Sequence, residues 1–177
     1  MSNLKSMASH IAKEVASGLI ITDSQNDLNK YFGGIDDVHN HLVTIKIPYP
    51  LRLSWDLGTT VTKIRVHEQV AESVIRIFTK VLNHYGIEKI KELGLDIFGG
   101  SYNKRQMTGS DKWSSHAWGI SLDFDPLRNK LRWGKDKAQF AKPEYDFWWK
   151  CWEDEGWHSL GRDKNFDFMH IQFAKRM

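Results

Sequence analysis

The stretch from Ile120 to Asp125 constrains the fold most. Ile120, Leu122 and Phe124 are apolar and alternate with Ser121, Asp123 and Asp125. Successive side chains leave a strand on opposite sides, so a period of two describes a strand with one face in a core. Asp123 therefore points away from the core, together with Ser121 and Asp125. Near the end of the chain Met169, Ile171 and Phe173 alternate with Phe168, His170 and Gln172, and this second strand presents a histidine on its other face. A sheet holding both strands needs helices over its apolar face. Its other face is left for side chains that carry chemistry.

His116 lies seven positions before Asp123, an odd offset that a continuous strand would send to the opposite face. Gly119 stands between them and can take backbone conformations closed to other residues, so a turn there lets both side chains reach one point. His170 reaches the same point from the closing strand. His116, Asp123 and His170 then form two imidazoles and a carboxylate around one zinc ion, with a fourth position open. Three protein ligands with an open position is the make-up of a catalytic zinc site, whereas structural sites are closed by four. Asp167, just before the closing strand, is placed to accept a proton from a water whose pKa zinc lowers to about 7. Each piece has an ordinary reading: a histidine in an aromatic-rich strand is usually a core or surface residue, and Asp123 or Asp125 can cap a turn before Pro126. The joint occurrence of H-x6-D, a later D-x-x-H and a charged loop at 101–113 singles the pattern out.

The rest of the chain reads as support. Residues 2–18 have helical spacing (Leu4, Ile11, Val15), and Val43, Ile45 and Ile47 form a half-buried strand that Pro48 and Pro50 are expected to break. His39 and His41, read on a strand, would share a face without a third ligand nearby. Val66, Val70, Val74, Ile77, Val81 and Tyr85 recur every three or four residues, which predicts a helix over 64–85 with Gly86 as its stop and His67 and His84 facing solvent. A short helix at 88–93, a strand at 95–98 and a helix at 143–154 follow. Trp148, Trp149 and Trp152 lie on one face of that last helix, and Trp113, Trp118 and Trp157 lie nearer the proposed site. His158 is expected outside the ligand set.

Composition bounds the class. The chain has 177 residues, 41% hydrophobic and 27% charged, as expected of one domain with a real core. Its net charge of +3 favours an anionic partner only weakly, and the basic residues are scattered, so nucleic acid is not expected. The single cysteine, Cys151, excludes an intrachain disulfide and reads as a buried thiol among tryptophans. No apolar run reaches signal-peptide or membrane-span length. The reading is a protein made in the cytoplasm and moved by a separate route.

The two motifs resemble the M15 family of zinc peptidases, which includes D-alanyl-D-alanine carboxypeptidases and phage L-alanyl-D-glutamate endolysins. That pattern is S-x-H-x-x-G-x-A-x-D followed by [ED]-x-x-H. Ser114, His116, Gly119 and Asp123 match it, Ser121 stands where alanine is usual, and Asp167 and His170 match the second part. Gly99 to Arg105 and Gly156-Trp157 are also similar, so the resemblance covers roughly residues 60 to 175. It implies one Zn2+ on His116, Asp123 and His170, with Asp167 as catalytic base. Arg105 would bind a substrate carboxylate or stabilise the developing oxyanion, and Ser114 would orient ligand or substrate. The resembled carboxypeptidases generally carry Glu at the base position and the endolysins Asp. The expectation is therefore an L-alanyl-D-glutamate endopeptidase acting on peptidoglycan stem peptides in the cell wall.

The expected architecture is α+β, with helices on one side of a small, mostly antiparallel sheet. Residues 1–45 would be an N-terminal helical arm and residues 46–177 a single monomeric zinc-peptidase domain. The rival readings are a D-alanyl-D-alanine carboxypeptidase, an inactive wall-binding module on the same fold, and a non-haem iron site. The last usually places its histidine and carboxylate as H-x-D, which this chain does not.

Overall fold

The computed structural model describes residues 10–177. Residues 10–16 are helical, and residues 2–9 of the expected 2–18 helix lie outside the described residues. The chain then forms α1 (Gln25–Phe32), β1 (Leu42–Leu53), β2 (Asp56–His67), α2 (Ala71–Leu93), β3 (Ile97–Gly100), β4 (Ser121–Phe124), α3 (Asp146–Glu153), β5 (His158–Ser159), α4 (Leu160–Lys164) and β6 (His170–Gln172). The six strands make one open sheet in the order β2-β1-β3-β4-β6-β5. Only β1 and β3 run parallel; every other neighbouring pair is antiparallel.

The expected α+β class holds, and several local expectations are corrected. β1 does not stop at its prolines. Ile45, Ile47, Tyr49 and Leu51 are buried and alternate with exposed Pro48 and Pro50. The β1–β2 register jumps between Lys46 and Leu51, so the ladder makes no demand on the N–H groups that proline lacks. The helix predicted from residue 64 begins at Ala71, because residues 56–67 are β2, joined to β1 by a two-residue turn at Ser54-Trp55. Ile64 and Val66 alternate with Lys63 and Arg65 in a strand, and their spacing to Val70 and Val74 happens to mimic a helix. Gly86 does interrupt α2, with φ of 73° and ψ of 163°.

α2 and α3 cover one face of the sheet. Val74, Ile77, Phe78 and Val81 of α2 are fully buried. The Phe78 ring lies 5.3 Å from Tyr49 of β1, 6.0 Å from Phe124 of β4 and 6.0 Å from Trp152 of α3. Trp148 adds an edge-on contact to Phe124 at 5.0 Å. Burying each such side chain contributes about 1.5–3 kcal/mol, which makes this aromatic layer the main stabilising term. Cys151 is buried there and its thiol is pushed up to about 11 by burial, so it is a packing group. The opposite face of β4 and β6 carries Asp123, His170 and Gln172.

The expected boundary between residues 45 and 46 falls inside β1. Ile21, Leu28, Phe32 and Val38 belong to the same buried core as the sheet. α1 is N-capped by Ser24, whose hydroxyl accepts the Asp27 N–H. At its other end Phe32 packs against Phe173 and the ring of His67. His67 is fully buried rather than solvent-facing; its Nε2–H donates to the Phe32 carbonyl at 2.9 Å. His39 and His41 lie on a 3-10 turn at Val38–His41, not on a strand. His41 is taken up by Glu68 at 2.7 Å and Asp37 at 3.2 Å.

Candidate metal centre

β4 and β6 pair antiparallel with Asp123 directly opposite His170. Directly opposed residues share a face with their Cβ atoms about 4.5–5.5 Å apart. Register alone therefore brings the Asp123 carboxylate to 3.0 Å from His170 Nδ1.

His116 arrives by a different route. It sits in a single 3-10 turn, Ser115–Trp118, between two caps. The Ser114 hydroxyl accepts the His116 N–H at 3.3 Å, and Gly119, at φ of 71°, returns its own N–H to the His116 carbonyl at 3.0 Å. Gly119 is also pressed against the β1–β2 pair: a Cβ there would stand 2.7 Å from a methyl of Leu42 in β1 and 2.9 Å from the nitrogen of His67 in β2. Left-handed backbone and close approach both demand glycine. The turn swings His116 over β4, placing its Nε2 3.2 Å from Asp123 and 3.2 Å from His170 Nδ1.

The outer ring nitrogens fix the tautomers. His116 Nδ1 is 2.6 Å from the Ser101 carbonyl, which can only accept, so that nitrogen carries the proton. His170 Nε2 is 2.9 Å from the Gln172 side-chain oxygen, another acceptor. With both rings neutral, two imidazole lone pairs thus face each other and a carboxylate, with no donor among the three. Such an arrangement is stabilised by a cation at its centre. Tetrahedral zinc ligands at 2.0–2.1 Å lie about 3.3 Å apart, close to the 3.0–3.2 Å separations here. The three donor groups fall within 4.8 Å of one another and are the metal-capable cluster among the described residues. Both histidines are buried. Burial pushes the Asp123 carboxyl up, but His116 and His170 outweigh it and hold it well below the usual carboxylate range. Burial opposes protonation of His170, whose pKa is nevertheless raised by its hydrogen bond to Asp123.

Asp167 lies in the adjoining cleft of about 270 Å³ with Arg105, Ser114, His116 and His170. It adopts a left-handed φ of 58°, uncommon for a residue with a side chain. Its N–H donates to the Leu131 carbonyl at 2.8 Å and its carbonyl accepts the His170 N–H at 3.1 Å, so the turn is tied to a ligand's own backbone. Burial, reinforced by the Asp123 charge, pushes its carboxyl up to about 6 against the pull of His170, His116 and Arg105. A carboxyl so placed can exchange a proton near neutral pH.

Arg105 is exposed and borders this cleft and a second one of about 410 Å³ beyond His116 and Asp123. Its carbonyl accepts the Ser114 N–H, and its positive charge acts on Asp167. Ser114 is buried and its hydroxyl is engaged as the cap of the His116 turn. Asp125 leaves the site face: at φ of 42° it turns inward to Arg128. His158 lies outside the cluster, 3.5 Å from Asp163. Trp118 and Trp157 are core residues bonded to the Gly33 carbonyl and the Ser73 hydroxyl, while Trp113 borders the first cleft.

Sequence reasoning missed several neighbours. Trp55, 67% exposed at the β1–β2 turn, borders the second cleft, and Leu131 and Phe166 border the first. Nothing local marks them, because each is brought in by tertiary packing. Gln172 was within reach, two residues beyond His170 on the same strand face. No helix among the described residues is long and apolar enough to cross a membrane. Comparison with protein-family models, with curated proteins and with solved structures finds no match to this chain.

Proposed function

We propose that this chain is a zinc hydrolase that cuts a peptide bond in the stem peptides of bacterial peptidoglycan, as an L-alanyl-D-glutamate endopeptidase. The observation that carries the reading is the convergence of two imidazole nitrogens on one carboxylate, with a second carboxylate in the adjoining cleft. The donor set suits one zinc ion on His116 Nε2, Asp123 and His170 Nδ1. Zinc bound there would supply a Lewis acid and lower the pKa of a water to about 7.

The chain's own groups account for the remaining chemistry. Asp167 takes the proton as the water oxygen bonds to the peptide carbonyl carbon. It returns that proton to the amine as the C–N bond breaks, so one water is consumed and the Asp167 carboxylate is regenerated. Arg105 supplies fixed positive charge beside the developing oxyanion or a substrate carboxylate, where a preorganised cation is worth most. Two clefts share Arg105 and His116. Such a groove suits a chain that continues on both sides of the cut, which supports an endopeptidase over an enzyme that trims ends. The match of Asp167 to the endolysin form of the motif points the same way. The proposed place of action is the cell wall, reached by a route separate from the chain itself.

Digestion of purified peptidoglycan, followed by mass analysis of the fragments, tests this. New N-terminal D-glutamate is the expected product. Release of D-alanine would make the protein a carboxypeptidase, and sedimentation with the wall without cleavage would make it a binding module.

A further inference from the structure

We propose that Gln172 is the positioning residue that makes His170 a metal ligand through Nδ1; the inference rests on the metal site proposed above. Its amide meets four partners, two of them of fixed polarity. The amide nitrogen donates to the Ala174 carbonyl at 2.7 Å and faces the Asp23 carboxylate at 3.4 Å, and both of these can only accept. The amide oxygen therefore faces the other way, where it meets His170 Nε2 at 2.9 Å and the Ser115 hydroxyl at 3.2 Å. Ser115 in turn accepts from the Ser121 hydroxyl at 2.6 Å. An oxygen at that position requires His170 to carry its proton on Nε2. The lone pair left on Nδ1 is the one that points at His116 and Asp123.

The alternative tautomer is available and harmful. With its proton on Nδ1, His170 would donate to Asp123, 3.0 Å away, and satisfy the carboxylate with the bond that a metal must replace. Gln172 opposes this by offering the acceptor that the described residues place on the ring's other side. Outer hydrogen-bond partners of ligating histidines fix tautomer and ring orientation in this way. The arrangement also gives the N-terminal segment a part in the site. Asp23, whose carboxylate faces the Gln172 amide, is anchored by Arg176 at 3.1 Å and by the Met177 N–H at 3.1 Å.

Two substitutions separate positioning from packing. Gln172→Met and Gln172→Glu both lose the donation to Ala174, so both are expected to unfold at lower temperature. Only Gln172→Glu keeps an acceptor for His170 Nε2–H. In competition titrations with a chromophoric chelator, Zn2+ affinity is expected to fall about 10–100-fold in Gln172→Met and to stay near wild type in Gln172→Glu. The 15N spectrum of zinc-loaded wild type is expected to show His170 protonated at Nε2 and bound through Nδ1. Equal zinc affinity in all three proteins, or a His170 bound through Nε2, would overturn the role of Gln172 while leaving the metal site intact. A wild type that binds no zinc would overturn both. If Gln172→Met does not fold, the wild-type 15N spectrum decides alone.

Discussion

Replacing Gly119 by alanine tests the geometry on which the site depends. Two costs can be worked from the structure. A residue with a side chain at φ of 71° occupies the left-handed region at about 1–2 kcal/mol. The added Cβ would also stand 2.7 Å from Leu42 and 2.9 Å from the His67 nitrogen. The leucine methyl can give way, but the His67 N–H is bonded to the Gly119 carbonyl at 2.8 Å and cannot retreat without losing that bond. Overpacking of this kind costs about 1–3 kcal/mol, so the total is about 2–5 kcal/mol. Gly109→Ala is the control: its φ is 74° and nothing lies within 4 Å of the added carbon, so only the backbone cost of about 1–2 kcal/mol applies. Urea denaturation of the metal-free proteins, fitted with a common slope, gives both values. Gly119→Ala should also weaken Zn2+ binding, since the turn that carries His116 must shift, and Gly109→Ala should not. Equal destabilisation at the two glycines would refute the close approach to β2, and unchanged zinc affinity in Gly119→Ala would refute its place as the hinge.

Three further outcomes follow from named groups. Asp167→Asn should keep zinc but lose hydrolysis of stem peptides by about 10²–10⁴-fold, the usual worth of a general base; near-normal turnover in a steady-state assay would remove it from the chemistry. Arg105→Ala should leave zinc affinity and unfolding unchanged and lower kcat/KM by about 10²–10³-fold, as loss of an oxyanion donor does; unchanged kinetics would return it to the solvated loop. His67 predicts a pH dependence of stability. Burial, with the positive charge of His41 stacked 5.6 Å away, lowers its folded pKa to about 4 from the ordinary 6.5. A base with a depressed folded pKa gives stability that is full above pH 6.5 and lost as the pH falls towards 4. The loss reaches about 3 kcal/mol at 1.36 kcal/mol per unit. Urea midpoints of wild type and His67→Gln at pH 7 and pH 4 should converge at the lower pH, and parallel curves would show that another group carries the acid sensitivity.

What could be read from the sequence divides by range. The faces of β4 and β6 were legible because a strand's period is two whatever surrounds it. Asp123 and His170 were thereby assigned to one side and Leu122, Phe124 and Ile171 to the other, as observed. The limits of β1 and β2 were not, because two signals conflicted. Proline normally ends a strand, but the register jump between Lys46 and Leu51 removes the penalty, and no local pattern announces a jump set by the partner strand. Val66, Val70 and Val74 share helical spacing although the first lies in β2, since a strand and a helix abutting at His67 to Ala71 can supply apolar residues at any interval.

The site shows the same division one level higher. The identities of His116, Asp123 and His170 were legible, as was the need for a turn at Gly119. The pairing of β4 with β6 was not: it places Asp123 opposite His170 and depends on contacts more than forty residues apart in sequence. A slip of one residue would send His170 to the helical face and bring Ile171 to the site. What forbids it is the aromatic layer on the other side. Phe173, which continues the β6 alternation, is clamped edge-on by Trp157 at 5.5 Å and by Phe32 at 6.3 Å, and Phe124 of β4 by Trp148 at 5.0 Å. Trp157 and Trp148 therefore act on the site from behind. By fixing which residues of β4 and β6 face the core, they fix which ones meet on the open side.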